Sequence, residues 1–215
     1  VITETKGFVH KSIGAGLELI KTLGDDNKFN VFSSNSSDVI TRENLKNISS
    51  IIFLNTTGDI LNLSEQEVIE EFIGNGKGFL GIHSATDTEY DWKWYGGLVG
   101  AYFSNHPPGT ALAKINIIDN SHIATQNFDK DWEIRDEWYN FYNINKNINV
   151  LLNLDETSYR GGEHGENHPI TWFHEYSGGR SFYTGLGHLA EIYSNARFVD
   201  LLRGGILYVS GKHNY

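Results

Sequence analysis

In the first half of the chain, short runs of consecutive apolar residues alternate with stretches whose apolar positions recur every three or four residues. Ser50-Ile51-Ile52-Phe53-Leu54 and Gly78-Phe79-Leu80-Gly81-Ile82 have strand length and are apolar throughout, as buried parallel strands are. Residues 1–5 read as the close of another strand and residues 30–33 as a short one. Ile13, Leu17, Leu19 and Ile20 share one side of a helix that Ser12 can cap and that ends near Gly24. Residues 41–47 read as a short helix. Ser64-Glu65-Gln66-Glu67 has capping-box spacing, Val68, Ile69, Phe72 and Ile73 follow at helical period, and Gly74 and Gly76 stop the helix. This order predicts a doubly wound, mostly parallel α/β sheet, in which ligands bind beyond the carboxyl ends of the strands. Two loops lie there: the one holding His10 and the one that starts at His83.

The second half is richer in strand pattern. Residues 111–119, 132–141 and 149–154 alternate, and residues 169–176 and 180–187 flank Ser177-Gly178-Gly179 as a hairpin. Residues 161–167 form a glycine-rich loop, and residues 195–209 an amphipathic helix with Phe198, Leu201, Leu202 and Leu207 inward. The chain shows no repeat, so the 215 residues read as one domain, 1–215, with β-rich additions in its second half.

Composition narrows the chemistry. The net charge of −10, with no run of Lys or Arg, argues against nucleic acid as a partner. No stretch approaches the roughly 20 apolar residues that cross a membrane. Without cysteine there is no disulfide, thiolate metal site or cysteine nucleophile. The chain opens on Val1 and contains no methionine, so residues are expected to have preceded it, with room for a leader among them. On that ground a periplasmic location is favoured over a cytoplasmic one, and the oligomeric state is open. Aromatic residues make up 13%, above the usual share; they serve a core or, as flat rings against the apolar faces of pyranoses, a sugar site.

Nine histidines carry the sharpest signal. His122, His164, His174 and His213 read as solvated or core side chains. His10, His83 and His188 each follow a strand at one sheet edge, and His106 can approach from the loop after residues 94–103. Such a set suits one divalent metal ion, zinc or similar, held by His10, His83 and His188, and equally suits metal-free acid–base work. Gly81-Ile82-His83-Ser84-Ala85 has the small neighbours of a nucleophile elbow with His83 at the central place; Ser84 falls one position late for a serine hydrolase. Asp136-Glu137 is the best paired carboxylate. Only one of two strand neighbours can face a pocket, and Glu137 is assigned to it. Asp87 is the second candidate.

Several blocks, in order along nearly the whole chain, resemble the trehalose-utilisation (ThuA-like) family: Lys6-Gly7-Phe8-Val9-His10-Lys11-Ser12-Ile13, Gly81–Asp87, Trp94–Phe103 with His106-Pro107, Asp136-Glu137-Trp138-Tyr139, His168-Pro169-Ile170-Thr171-Trp172 and Gly179–His188. The resemblance implies a flavodoxin-like fold similar to the class I glutamine amidotransferases. In that superfamily the elbow carries Cys and a His follows a late strand; the corresponding residues here are His83 and His188. An imidazole does not replace a thiolate, so glutaminase chemistry does not carry over.

The resemblance also implies carbohydrate metabolism, through sugars oxidised to 3-keto glycosides. A 3-keto group acidifies the C2 proton, so cleavage by elimination and water addition needs bases and electrophiles but no nucleophile. His83, His188, Glu137 and Asp87 are the catalytic candidates; Ser12, Ser84, Trp94, His106, Tyr139 and His168 are substrate-binding candidates, with a small carbohydrate as the partner. The alternatives are a non-catalytic sugar-binding or regulatory module, and a hydrolase using Ser84 with His188 as its base.

Overall fold

A computed structural model describes residues 1–129 and 132–212, so His213 lies outside the described residues. The first helix, α1 (Ile13–Asn27), is followed by a short α2 (Arg42–Leu45) capped by Thr41, whose hydroxyl accepts the Asn44 N–H. Next come β1 (Ser50–Leu54), α3 (Leu63–Gly74), β2 (Gly78–Ile82) and α4 (Lys93–Val99). The remaining elements are β3 (Tyr102–Asn105), β4 (Ala111–Ile117), β5 (Trp132–Asp136), β6 (Asn140–Tyr142), β7 (Asn149–Asp155), β8 (His168–Tyr176), β9 (Gly179–Thr184) and α5 (Ala196–Val209).

Seven strands form one mixed sheet in the order β1-β2-β9-β8-β7-β4-β5. The pairs β1–β2 and β2–β9 are parallel. The β-rich second half adds the antiparallel pairs β9–β8, β8–β7, β7–β4 and β4–β5, and β3 pairs with β6 as a separate ribbon. Alternate strand residues serve helices on opposite faces. Leu54 packs on Gly16 of α1, and Leu80 and Phe182 on Gly205 of α5. On the other face Phe53 and Phe79 meet Tyr95 of α4, with ring centroids 5.8 and 5.7 Å away.

Five expectations differ in detail. Residues 1–5 pair through single bridges of Ile2 with Phe53 and Ser34 and of Thr5 with Thr57, and residues 30–33 form no strand; the Phe32 carbonyl accepts from the Val1 amino group at 2.7 Å. The capping box of α3 is Asn62 with Glu65 rather than Ser64 with Glu67: Asn62 Oδ1 accepts the N–H groups of Ser64 and Glu65, and Glu65 accepts the Asn62 N–H at 2.9 Å. Ser12 does not cap α1 with its side chain. The expected strand over 132–141 breaks into β5 and β6, and Glu137-Trp138-Tyr139 in the gap belongs to the site.

Candidate active site

The elbow forms as its sequence predicts. β2 ends at Ile82, and His83 takes a left-handed conformation, φ +50°, that L residues adopt at a cost of about 1–2 kcal/mol. The tight turn needs Gly81, where a Cβ would meet Ala85 and the Tyr183 ring at 3.1 Å. The His83 imidazole is fully buried, and its Nδ1 lies 2.8 Å from the Gly185 carbonyl. A carbonyl only accepts, so Nδ1 carries the proton and Nε2 presents a lone pair inward.

Three other side chains converge on that lone pair. One ligand atom from each of His10, His83, Glu137 and His188 lies within 4.8 Å of the others. Oε2 of Glu137 is 3.5 Å from His83 Nε2 and 3.1 Å from His188 Nδ1, and neither nitrogen, though buried, has a hydrogen-bond partner. His10 stands edge-on to His83 and His188, with centroids 4.8 and 5.3 Å away. Ser84 Oγ lies 3.3 Å from His10 Nδ1 and fixes that ring; it touches the cluster from behind and is fully buried.

The adjacent carboxylates divide their work. Glu137 faces the imidazoles. Asp136, fully buried, accepts the backbone N–H groups of Gly187 at 2.7 Å and Leu189 at 3.1 Å, and so holds the turn that carries His188. The same turn is pinned from its other side: Ser12 donates to the Gly187 carbonyl at 2.8 Å, Asn55 donates to Ser12 at 2.9 Å, and Tyr193 donates to the Gly187 carbonyl at 3.2 Å. Ser12 is thus a buried support of the His188 turn. Asn55 sits at φ +52° just past β1, and an Asn at a strand end is the only sequence cue to its role.

Electrostatics separates the titrating groups. Burial together with His83 and His188 lowers His10 to about 3, so its imidazole is neutral near pH 7. Burial pushes the Glu137 carboxyl up, but His188 and His83 outweigh it and hold it below the usual range. The Glu137 carboxylate raises His188 against the opposing effect of burial. Asp87 is raised by burial, against a Tyr90 hydroxyl that donates to it at 2.6 Å and the neighbouring imidazoles of His83 and His106.

The other expected site residues fall into two groups. His106, on the rim after β3, approaches Oε1 of Glu137 at 3.3 Å. Tyr139 forms a wall, its ring centroid 4.3 Å from His83 and 4.2 Å from Phe103. Trp94 and His168 are not brought to the cluster. Trp94 lies on α4, stacked on Trp92 at 5.1 Å and edge-on to Tyr176, because α4 turns that face toward other aromatic residues. His168 is fully buried between Oε1 of Glu156 at 2.7 Å and the Tyr139 carbonyl at 2.8 Å, where it supports Tyr139 from behind. Glu156 has no signal in the sequence. Of the remaining histidines, His122 and His174 are buried, as one of the two expected environments requires. A groove of about 740 Å³ beside Val31, Phe32 and Ile51 lies at the start of β1 and contains none of the convergent residues.

A family model described as trehalose utilisation, ThuA, matches residues 1–209. No curated relative matches the sequence. Among solved structures, a ThuA-like protein from Bacteroides uniformis ATCC 8492 superposes with TM-score 0.80 at 20% identity, over 97% of this chain and 89% of that one. A ThuA-like protein from Parabacteroides merdae ATCC 43184 gives TM-score 0.76 at 17% identity, over 100% of this chain and 91% of that one. A β-galactosidase from Bacillus circulans sp. alkalophilus shares the fold at TM-score 0.57 and 13% identity, over 91% of this chain but 27% of that one. At these identities the likeness is one of fold.

Proposed function

The chain belongs to the ThuA family, described as trehalose utilisation, and on that premise we propose that it is a carbohydrate-processing enzyme that cleaves 3-keto glycosides by metal-assisted acid–base elimination. The observation that carries this reading is the convergence of His10, His83, His188 and Glu137.

These residues fit a divalent ion of the zinc class. The set is three imidazoles and one carboxylate, His83 is fixed in the tautomer that offers Nε2, and two of the buried nitrogens lack a hydrogen-bond partner. The carboxylate–imidazole separations of 3.1 and 3.5 Å bracket the edge, about 3.3 Å, of a tetrahedron with zinc-length bonds. An ion held by this set would supply Lewis acidity at the ketone oxygen as charge develops there.

Asp87 is the base that removes the C2 proton. Burial has raised its pKa, which strengthens the carboxylate as an acceptor, and the Tyr90 hydroxyl orients it. The electron pair of the C2–H bond moves into a C2–C3 enolate with its charge on the ketone oxygen, and its return forms the C1–C2 double bond as the C1–O bond breaks. His106, half-exposed beside Glu137, protonates the departing oxygen. Water then adds at C1, and the proton returns to C2. The test is incubation of the purified protein with 3-ketotrehalose, followed by assay of the released monosaccharides. Release supports the reading; sugar bound but unchanged would favour a binding module instead.

A further inference from the structure

The loop that delivers His10 also holds two apolar side chains out to solvent. Phe8 and Val9 are each 63% exposed. A single exposed apolar residue needs no explanation, but this pair differs in two respects. The loop is fixed: the Gly7 N–H donates to Thr57 Oγ1 at 3.1 Å, the Thr57 hydroxyl donates to the Phe8 carbonyl at 3.1 Å, and the Lys6 N–H donates to the Thr57 carbonyl at 2.7 Å. The Phe8 ring also stands edge-on to His10, centroids 4.8 Å apart and 76° between planes, so it continues the cluster outward. A second series of rings leaves the cluster by a different route, from His83 through Tyr139 to Phe103 and His106.

We propose that Phe8, with Val9 beside it, is the stacking platform for the departing pyranose ring of a disaccharide whose other ring is held at the cluster. This rests on the carbohydrate reading above. The ring that reacts must sit where the acid and base are. Its partner then extends outward, and the exposed Phe8 ring, adjoining His10 on a backbone pinned to Thr57, presents a flat apolar surface there. A pyranose offers a matching surface in its axial C–H groups, with its hydroxyls left at the edge for water. A phenyl ring on a pinned backbone has only two side-chain torsions to fix, so stacking on it costs little side-chain freedom.

Calorimetric titration of the wild type, Phe8→Ala and Phe8→Trp with trehalose and with glucose tests this, with turnover of 3-ketotrehalose by the wild type measured in parallel. Trehalose binding is expected to weaken about tenfold in Phe8→Ala, to survive in Phe8→Trp, and glucose binding to stay unchanged in both. Equal trehalose affinity in the wild type and Phe8→Ala, or no sugar binding by the wild type, overturns the platform. So does a Phe8→Ala variant that changes only its oligomeric state in sedimentation, which would make Phe8 a contact between copies of the chain. If the wild type does not turn over 3-ketotrehalose yet its trehalose binding depends on Phe8, the catalytic reading fails and the platform stands.

Discussion

The carboxylate of Asp136 accepts the backbone N–H of Gly187 at 2.7 Å, so the residue before Glu137 fixes the residue before His188. Two chain segments 51 residues apart are thereby locked in the register that brings Glu137 Oε2 to 3.1 Å from His188 Nδ1. Asp136→Asn keeps one acceptor oxygen and leaves one of the two N–H groups, of Gly187 or Leu189, unsatisfied in a buried place. Unfolding in urea should show a loss of about 1–3 kcal/mol. An unchanged midpoint would mean that the turn is held without Asp136.

Gly187 itself cannot be replaced without strain. Its φ is +129°, and a Cβ there would meet the Tyr193 hydroxyl at 2.7 Å and Ile82 at 3.0 Å. Gly187→Ala should lower stability by about 2–4 kcal/mol in denaturant unfolding. It should also displace His188, so that activity falls more than the folded fraction does.

His83 separates function from folding. Asn tolerates the left-handed backbone that His83 occupies at φ +50° but cannot present a nitrogen lone pair where Nε2 stands. His83→Asn should keep its far-ultraviolet circular dichroism and lose at least a hundredfold in kcat/KM, about 2.7 kcal/mol of transition-state stabilisation. Near-wild-type turnover would remove His83 from the mechanism.

Acid should destabilise the fold through histidines buried in their neutral form. His122 packs against Phe173 at 4.3 Å and accepts the Ala124 N–H at 3.1 Å, and burial lowers its pKa from 6.5 to about 4. Between those values the unfolded chain binds a proton that the folded chain does not, so stability rises with pH there and is lost as pH falls from 6.5 toward 4. The loss from this residue is about 2 kcal/mol at pH 5. His122→Asn keeps an acceptor for Ala124 and cannot titrate, so its unfolding free energy should drop less between pH 7 and pH 5 by about that amount. Identical pH dependence in the two proteins would contradict the assignment.

The parts of this structure legible in the sequence are those set by local pattern. β1 and β2 have the bounds that their uninterrupted apolar runs imply, because strands covered on both faces leave no polar position inside them. The rule that ligands gather beyond parallel strand ends brings His10, His83 and His188 together, whereas the two-residue period says only that one of Asp136 and Glu137 faces the site; β5 ends at Asp136, so the period does not choose between them. What the pattern missed depends on distant contacts. Asn62-x-x-Glu65 and Ser64-x-x-Glu67 overlap as capping boxes, and tertiary packing chooses between them. Glu156 meets His168 only because a loop folds back on β8, and Trp94 faces Trp92 and Tyr176 only because of how α4 sits on the sheet. No spacing encodes those encounters.

Metal-assisted cleavage of a 3-keto glycoside requires that His10, His83, His188 and Glu137 hold the ion. Turnover of 3-ketotrehalose by the same preparation is measured before chelation, after chelation and after addition of zinc or another divalent ion. Activity abolished by the chelator and restored by the ion, with restoration lost in Glu137→Gln, is the expected result. Turnover indifferent to a chelator that leaves the protein free of metal would contradict it.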